Sequence, residues 1–180
     1  MLKKPEEIRT TSQLRSSNVR GLKSAMLEGH PEMEPYIDLL FPKQHSVIEA
    51  KLKAPHNNLS FTYVEKTIIS IHCEDIMFPH LKLLHKFPFM LKKMQVDKGA
   101  IRFVIGGANV MAPGLVSAGG AIEEAKQGEI VAIMAEGKTH ALAIGRMMKS
   151  TEEIRSNPTG AAIENLHYLN DGFWKMELPS

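Results

Sequence analysis

The sequence predicts an α+β protein in two parts: an N-terminal α+β domain over residues 1–91, then a small barrel of short β-strands over residues 92–180. Three observations carry this. The apolar residues run at helical spacing early, alternate from Ile48 onward, and return to helical spacing near Pro79. Beyond Gly128, short apolar runs follow one another with glycine-bearing turns between them. Between the halves lies Gln95–Leu115, QVDKGAIRFVIGGANVMAPGL, a capped helical stretch that ends on paired glycines.

The elements follow in order. Ser12–Glu28 predicts an amphipathic helix, with Leu14, Leu22 and Met26 toward a core and Gly29-His30-Pro31 stopping it. Pro35–Phe41 predicts a second, short helix with Tyr36, Ile37 and Leu40 as its apolar stripe. Ile48, Ala50 and Leu52 alternate with Glu49, Lys51 and Lys53, as on a half-buried strand. Pro55-His56-Asn57-Asn58 predicts a turn, Leu59, Phe61 and Tyr63 a second strand, and Thr67–Ile71 a third. A helix is expected over Pro79–Lys86, broken by Phe87-Pro88.

In the central stretch, Asp97 is a candidate N-cap, its carboxylate accepting from otherwise orphaned N–H groups. Over Lys98–Ile105, Ala100, Ile101 and Val104 fall on one side of a helix, while Lys98 and Arg102 share another. Gly106-Gly107 caps that helix, Asn109–Ala112 predicts a strand, and Pro113-Gly114 a turn. Ser117–Gly128 reads as a surface loop. Ile130–Ala135 and His140–Met148 read as a hairpin about Glu136-Gly137-Lys138. Ser150-Thr151-Glu152-Glu153 matches a capping box, so a helix begins there and ends before Asn157-Pro158. Ile163–Leu169 predicts a last strand, turning through Asn170-Asp171-Gly172 into Phe173-Trp174.

Composition narrows the function. Hydrophobic residues make up 43% and charged residues 23% of the 180, ordinary values for a chain that buries a core. No apolar run approaches the roughly 18 residues of a membrane helix, and MLKKPEEIRTTSQ lacks the apolar segment of a secretory signal. Cys73 is the single cysteine, which fits a reducing, cytoplasmic setting. The net charge is only +2, but it is unevenly spread. Residues 1–93 carry 14 Lys and Arg against 10 Asp and Glu, and residues 94–180 carry 8 against 10. From Pro79 to Arg102, Lys82, Lys86, Lys92, Lys93, Lys98 and Arg102 face only Asp97, so a basic patch rather than a basic domain is expected.

Catalysis finds little support. The eight histidines are scattered, and no HExxH, GxSxG, Walker A or CxxC pattern occurs. His72-Cys73-Glu74-Asp75 is the one dense group of metal-ligand types, but adjacent strand residues point to opposite faces, so no metal site and no cofactor is expected. Gly106-Gly107-Ala108-Asn109 admits two readings: a glycine cap that feeds a strand, or a loop whose backbone and Asn109 amide meet a phosphate or base edge. Lys98 and Arg102 are either a solvated helix face or a phosphate track shared with Lys92 and Lys93. Met111, Met147 and Met148 read as packing residues, and Phe173-Trp174 as cover for one end of the barrel.

The blocks VDKGAIRF, GGANVMAPGL, IVAIMAEG, ALAIG and IENLHYLNDGFW resemble the PUA domain, a small RNA-binding pseudo-barrel. From MLKK through LKLLHKFPF to the C-terminus the chain resembles the malignant T-cell-amplified sequence family of translation proteins. The resemblance is weakest across Gln44–Phe78, and Val116–Gly128 also departs from it. It implies a PUA-type β pseudo-barrel for residues 92–180, behind a pre-PUA α+β domain over 1–91. It implies a non-enzymatic RNA-binding factor on the small ribosomal subunit, active in translation initiation, reinitiation, ribosome recycling, and tRNA placement or removal. The implied partners are ribosomal RNA, a tRNA acceptor end and density-regulated protein, the last as a heterodimer. The implied RNA contacts are Lys92, Lys93, Lys98, Arg102, Gly106, Gly107, Asn109, Pro113 and Gly114. Two rivals stand beside this: a PUA-containing RNA-modification protein, and a protein-interaction module that does not touch RNA.

Overall fold

The computed structural model describes residues 2–56, 58–74 and 76–179. They fall into two units, one of Glu6–Leu83 with residues 177–179, the other of residues 2–5 with Leu84–Met176.

The first unit begins with strand β1 (Ile8–Gln13), followed by helix α1 (Ser16–Gly29), a 3-10 turn (Pro31–Tyr36) and the single-turn helix α2 (Ile37–Leu40). Strands β2 (Val47–Leu52), β3 (Leu59–Val64), β4 (Thr67–Cys73) and β5 (Ile76–Pro79) complete an antiparallel sheet in chain order, β1-β2-β3-β4-β5. Helix α3 (Leu81–Lys86) follows, and the chain passes into the second unit within it. The alternation expected over Ile48–Lys53 holds only at its end in β2, where Ala50 and Leu52 are buried and Lys51 is exposed; Ile48 and Glu49 are both half-buried, and Val47 is buried out of phase. Phe61, Ile69 and Ile71 are fully buried in β3 and β4.

Three expectations are corrected here. The helix expected from Ser12 starts at Ser16, because Thr10, Thr11 and Ser12 pair with Lys51, Ala50 and Glu49 of β2. Branching at Cβ in both threonines favours this extended backbone, yet the strand is an exposed edge with no apolar alternation to announce it. Pro35 lies inside the 3-10 turn rather than at a helix start, and Tyr36 points outward at 39% exposure while Met33 and Leu40 are buried. The helix expected from Pro79 starts at Leu81. Pro79 instead closes β5, opposite Ser70, and the buried His80 accepts at Nδ1 from the Lys82 N–H (3.1 Å), serving the first turn of α3. Of the turn expected at Pro55–Asn58, Asn57 lies outside the described residues.

The second unit holds β6 (Lys93–Val96), a 3-10 turn (Lys98–Ala100) running into α4 (Ile101–Val104), β7 (Val110–Met111), α5 (Ala112–Val116), β8 (Ala121–Ile122), β9 (Ile130–Ala135), β10 (Ala143–Met147), α6 (Thr151–Ser156) and β11 (Ala161–Tyr168). Six strands form one curled sheet in the order β7-β11-β10-β9-β6-β8, antiparallel except where β6 runs parallel to β9. Met94, Val96, Val131, Ile133, Ala143, Met147 and Ile163 are almost wholly buried in the core it encloses, a β pseudo-barrel. Each Val or Ile placed there stabilises the fold by about 1.5–3 kcal/mol.

Local signals hold where they were strongest. The β9–β10 hairpin forms, although the strand expected over His140–Met148 is confined to Ala143–Met147. Ser150 caps α6 through the Glu153 N–H, and the Glu153 side chain answers to the Ser150 N–H, completing the capping box. Corrections fall in the connections. The strand expected over Asn109–Ala112 shrinks to Val110–Met111. Pro113-Gly114 is not a turn but the first turn of α5, where proline's missing N–H has no helical partner to lose. The loop expected over Ser117–Gly128 contains β8, which pairs with β6. Met111 and Met148 are exposed at 51% and 42%, while Met147 is buried.

Among the described residues no helix is long and apolar enough to cross a membrane, and no group of three or more His, Cys, Asp or Glu could hold a metal ion. His72 instead shares a 3.0 Å hydrogen bond with the Ser70 hydroxyl; Asp75 of that segment lies outside the described residues.

Candidate nucleic-acid interface

Asp97 sets up the site. Its Oδ1 accepts from the Ala100 N–H (3.0 Å), capping the turn that becomes α4, and its Oδ2 accepts from the Ser117 hydroxyl (2.8 Å). Those bonds, the Ser117 hydroxyl's first and then the Ala100 N–H, hold its carboxyl below the usual aspartate range. The Asp97 N–H donates to the Gly114 carbonyl (3.1 Å), tying the helix start to α5. Gly114, expected as an RNA contact, thus also accepts from the residue that caps the turn, and Pro113 stands in the first turn of α5.

Helix α4 turns Val104 into the core and leaves Arg102 and Phe103 exposed. Lys98 and Arg102 have no acidic partner among the described residues, and the Arg102 guanidinium lies 4.7 Å from the centre of the Phe103 ring. The helix closes when the Gly106 and Ala108 N–H groups both donate to the Phe103 carbonyl (3.1 and 3.0 Å) and the Gly107 N–H to that of Val104 (3.0 Å). Gly107 takes φ +87°, a conformation that side chains disfavour.

The loop leaving α4 meets β11 at an irregularity. Gly145 of β10 pairs with Asn165, but its neighbour Ile144 pairs with His167, so Leu166 is an extra residue in the ladder. A regular strand would send residues 165 and 168 to opposite faces. The bulge turns both toward the loop. Asn165 donates through Nδ2 to the carbonyls of Val104 (2.9 Å) and Ala108 (3.0 Å), while its own N–H donates to Asn109 Oδ1 (3.0 Å). Asn109, read from sequence as facing a ligand, thus spends its carbonyl oxygen on the scaffold and keeps only its amide N–H groups. The Asn165 Oδ1 is buried without a partner.

Beside this junction a cleft of about 230 Å³ is lined by Lys3, Gly107, Asn109, Glu164, Asn165 and Tyr168. Glu164 is held by Arg146, whose Nε and Nη2 reach Oε2 at 3.0 and 2.7 Å across β10–β11. The Tyr168 hydroxyl is pushed up in pKa by burial and then by Asp171, so it stays a neutral donor and acceptor at physiological pH. Lys3 arrives from the N-terminal segment because the Gly172 N–H donates to the Leu2 carbonyl (2.7 Å). Lys4 O lies 2.2 Å from where a Cβ at Gly172 would stand, so a side chain there would displace that segment. The cleft is polar, offers an ammonium, a hydroxyl, amide N–H groups and a carboxylate, and contains no nucleophile–base pair.

Of the residues named from sequence, Lys98 in the 3-10 turn and Arg102 in α4 are both exposed, and Gly107 and Asn109 lie in the cleft, with Gly106 at the helix end between them. Lys92 is separate, in a 2.6 Å ion pair with Glu129. Lys93 borders a different small hollow with His85 and His140. Sequence reasoning missed Lys3, Phe103, Glu164, Asn165 and Tyr168. Asn165 left no distinctive trace, since Glu164 and His167 are polar residues of the same strand.

The fold defines a class, an α+β unit followed by a β pseudo-barrel of the PUA type, and comparison with known proteins bears that out. Residues 2–88 match the Pre-PUA-like domain and residues 92–169 the PUA domain. The chain belongs to the malignant T-cell-amplified sequence family. It is 46% identical over 178 residues to the malignant T-cell-amplified sequence 1 homologue of Drosophila melanogaster, covering 97% of each chain. It is 39% identical to translation machinery-associated protein 20 of Saccharomyces cerevisiae, covering 96% of each. Among solved structures, a hypothetical protein from Pyrococcus horikoshii superposes with a TM-score of 0.72 at 22% identity, over 92% of this chain and 98% of that one. A conserved PUA domain protein from Thermoplasma acidophilum gives 0.65 at 17%, over 90% and 95%. These two share the fold.

Proposed function

We propose that this protein is an RNA-binding translation factor that acts on the small ribosomal subunit in the cytoplasm, where it helps place or remove tRNA during reinitiation and recycling. One observation carries the reading: Lys98 in the 3-10 turn and Arg102 in α4 stand exposed and without acidic partners among the described residues, on the segment that leads into a polar cleft bounded by Gly107, Asn109 and Tyr168. Uncompensated cations beside a glycine loop suit a phosphate backbone, and a cleft with donors and acceptors suits an unstacked nucleotide. A tRNA acceptor end is a single strand of this kind, and ribosomal RNA offers others. The activity is binding and positioning, in which no bond is made or broken.

Labour divides along the chain. Residues 92–180 take the RNA, and residues 1–91 dock a homologue of density-regulated protein and the subunit. Leu39, 70% exposed beside Tyr36, supports a protein contact on the first unit. The family membership and the relative named for the translation machinery support the ribosomal setting.

The test is association of the full chain with isolated small ribosomal subunits at low and moderate salt, wild type beside Lys98→Glu/Arg102→Glu. Binding that weakens with salt and collapses in the double variant is the expected result. Tight binding that ignores both changes would move the contact to protein and defeat the proposal.

A further inference from the structure

The outward face of the second unit's sheet carries a hollow of about 30 Å³, lined by none of the residues of the cleft beside β11. Lys93 stands opposite Ala132 in the parallel β6–β9 ladder. Ile133 belongs to the core, so Ala132 and Met134 face the other way and line the hollow together with Lys93. Leu84 and His85 of α3 wall one side, and Thr139, His140 and Ala141 of the β9–β10 connection wall another. The His85 Nε2–H donates to the Ala141 carbonyl (2.8 Å), which pins the two walls together, and the His140 ring lies 5.0 Å from that of His85, centre to centre. A carbonyl only accepts, so Nε2 keeps its proton and Nδ1 is the nitrogen that titrates. No carboxylate lines the hollow. Glu123 accepts from the Lys93 backbone N–H (3.0 Å), and the Lys93 ammonium enters no ion pair among the described residues. Burial first, and then the imidazoles of His140 and His167, hold His85 below the usual histidine range against the pull of the Ala141 carbonyl.

We propose that this hollow is a receptor for a terminal phosphate group, whose oxygens meet the Lys93 ammonium, the Thr139 hydroxyl and the His140 imidazole beside His85. Size and charge choose the occupant. The hollow has room for about two water molecules, so a compact tetrahedral group enters it and a base or an aromatic side chain does not. Its titratable groups are one ammonium and two imidazoles, with nothing to hold a cation. A terminal phosphate presents three strong acceptor oxygens, one for each of the three polar side chains at the mouth. A phosphodiester within a chain has fewer free oxygens and two bulky substituents. Inorganic phosphate and the 5′-phosphate of an RNA end both supply the required group. Neither Lys98 nor Arg102 takes part, so the site stands independently of the RNA reading above.

The probe is sodium phosphate, titrated into the full chain near pH 6.5, about the ordinary histidine pKa, at constant ionic strength, with the histidine Cε1–H signals followed by NMR. The His85 and His140 signals are expected to shift saturably, and the His85 titration midpoint to rise, because a neighbouring anion favours the imidazolium. Lys93→Ala is expected to weaken binding about 10- to 100-fold, and Thr139→Val, at an exposed position, to weaken it as well. Lys92→Ala removes the same charge from an ion pair with Glu129 and is expected to leave the affinity unchanged.

Competition by short oligoadenylates then identifies the source. If the 5′-phosphorylated form displaces phosphate and the 5′-hydroxyl form does not, the site takes an RNA end; if neither does, it takes the free ion. Either result upholds the receptor. Equal displacement by both forms would mean that the chain's phosphodiesters bind there, and the terminal-phosphate assignment fails. Shifts that are absent, that do not saturate, or that are the same in Lys93→Ala and Lys92→Ala would reduce the effect to general ion screening and overturn the proposal. None of these outcomes bears on the Lys98→Glu/Arg102→Glu test of RNA binding, so the two readings fail separately.

Discussion

The ring of Tyr168 lies so close over Gly107 that a Cβ at position 107 would stand 2.8 Å from the tyrosine hydroxyl oxygen and 2.9 Å from two ring carbons. Gly107 also sits at φ +87°. Steric space and backbone conformation therefore demand glycine independently. Gly107→Ala is expected to cost about 1–3 kcal/mol, read from urea unfolding. Tyr168→Ala in the same chain should relieve the clash but not the backbone strain, so a double-mutant cycle separates the two terms.

Asn109 and Asn165 hold the loop to β11 together. Asn109→Ala leaves the Asn165 N–H without its 3.0 Å acceptor at a half-buried position, a loss of about 1–2 kcal/mol. Asn165→Ala keeps the backbone N–H that reaches Asn109 but removes two side-chain bonds to the carbonyls of Val104 and Ala108, and is expected to cost more than Asn109→Ala. Hydrogen exchange should rise first at residues 104–109 in both variants. If exchange there is unchanged, the amides are not what fixes the loop.

Asp97 gives the second unit an acid-sensitive element. Its folded pKa lies below its unfolded value, first through the Ser117 hydroxyl and then through the Ala100 N–H. Its contribution is therefore full above the unfolded pKa and is lost as pH falls through the folded one. Asp97→Asn keeps an acceptor at the cap without titrating. Below about pH 4 its thermal midpoint should fall less steeply than that of the wild type. Parallel curves would show that Asp97 contributes nothing to acid sensitivity.

Asp171 is fully buried and accepts from His167 Nδ1 (2.7 Å), the Tyr168 N–H (3.0 Å) and the Trp174 N–H (2.9 Å). Asp171→Ala would strand three donors in the interior at a cost of roughly 3–5 kcal/mol. Asp171→Asn should recover part of that, since its carbonyl can still serve the backbone. Equilibrium unfolding by circular dichroism measures both. A loss under 1 kcal/mol, on the order of a single exposed bond, would mean that the turn after β11 is held by other contacts.

Much of the local structure was legible because it is decided by near neighbours. The Asp97 cap, the Ser150–Glu153 capping box and the β9–β10 hairpin each depend on residues within a few positions of one another. Strand β1 was not legible, since a polar edge strand shows no period and takes its hydrogen bonds from β2, far along the chain. Pro113-Gly114 misled for another reason: the pair suits a turn, but proline suits the first turn of a helix equally, and α5 starts there.

For the site, sequence alone determined the cations and glycines of Lys98–Asn109, because their chemistry is intrinsic and their spacing on one short helix follows from its pitch. Only the tertiary structure decided which of them work together. The extra residue Leu166 in β11 turns Asn165 and Tyr168 toward the loop, Gly172 admits the segment that carries Lys3, and Glu129 draws Lys92 away into an ion pair. Each is a contact between residues more than thirty positions apart or the consequence of a strand register, and neither distance nor register is encoded in any local stretch of the chain.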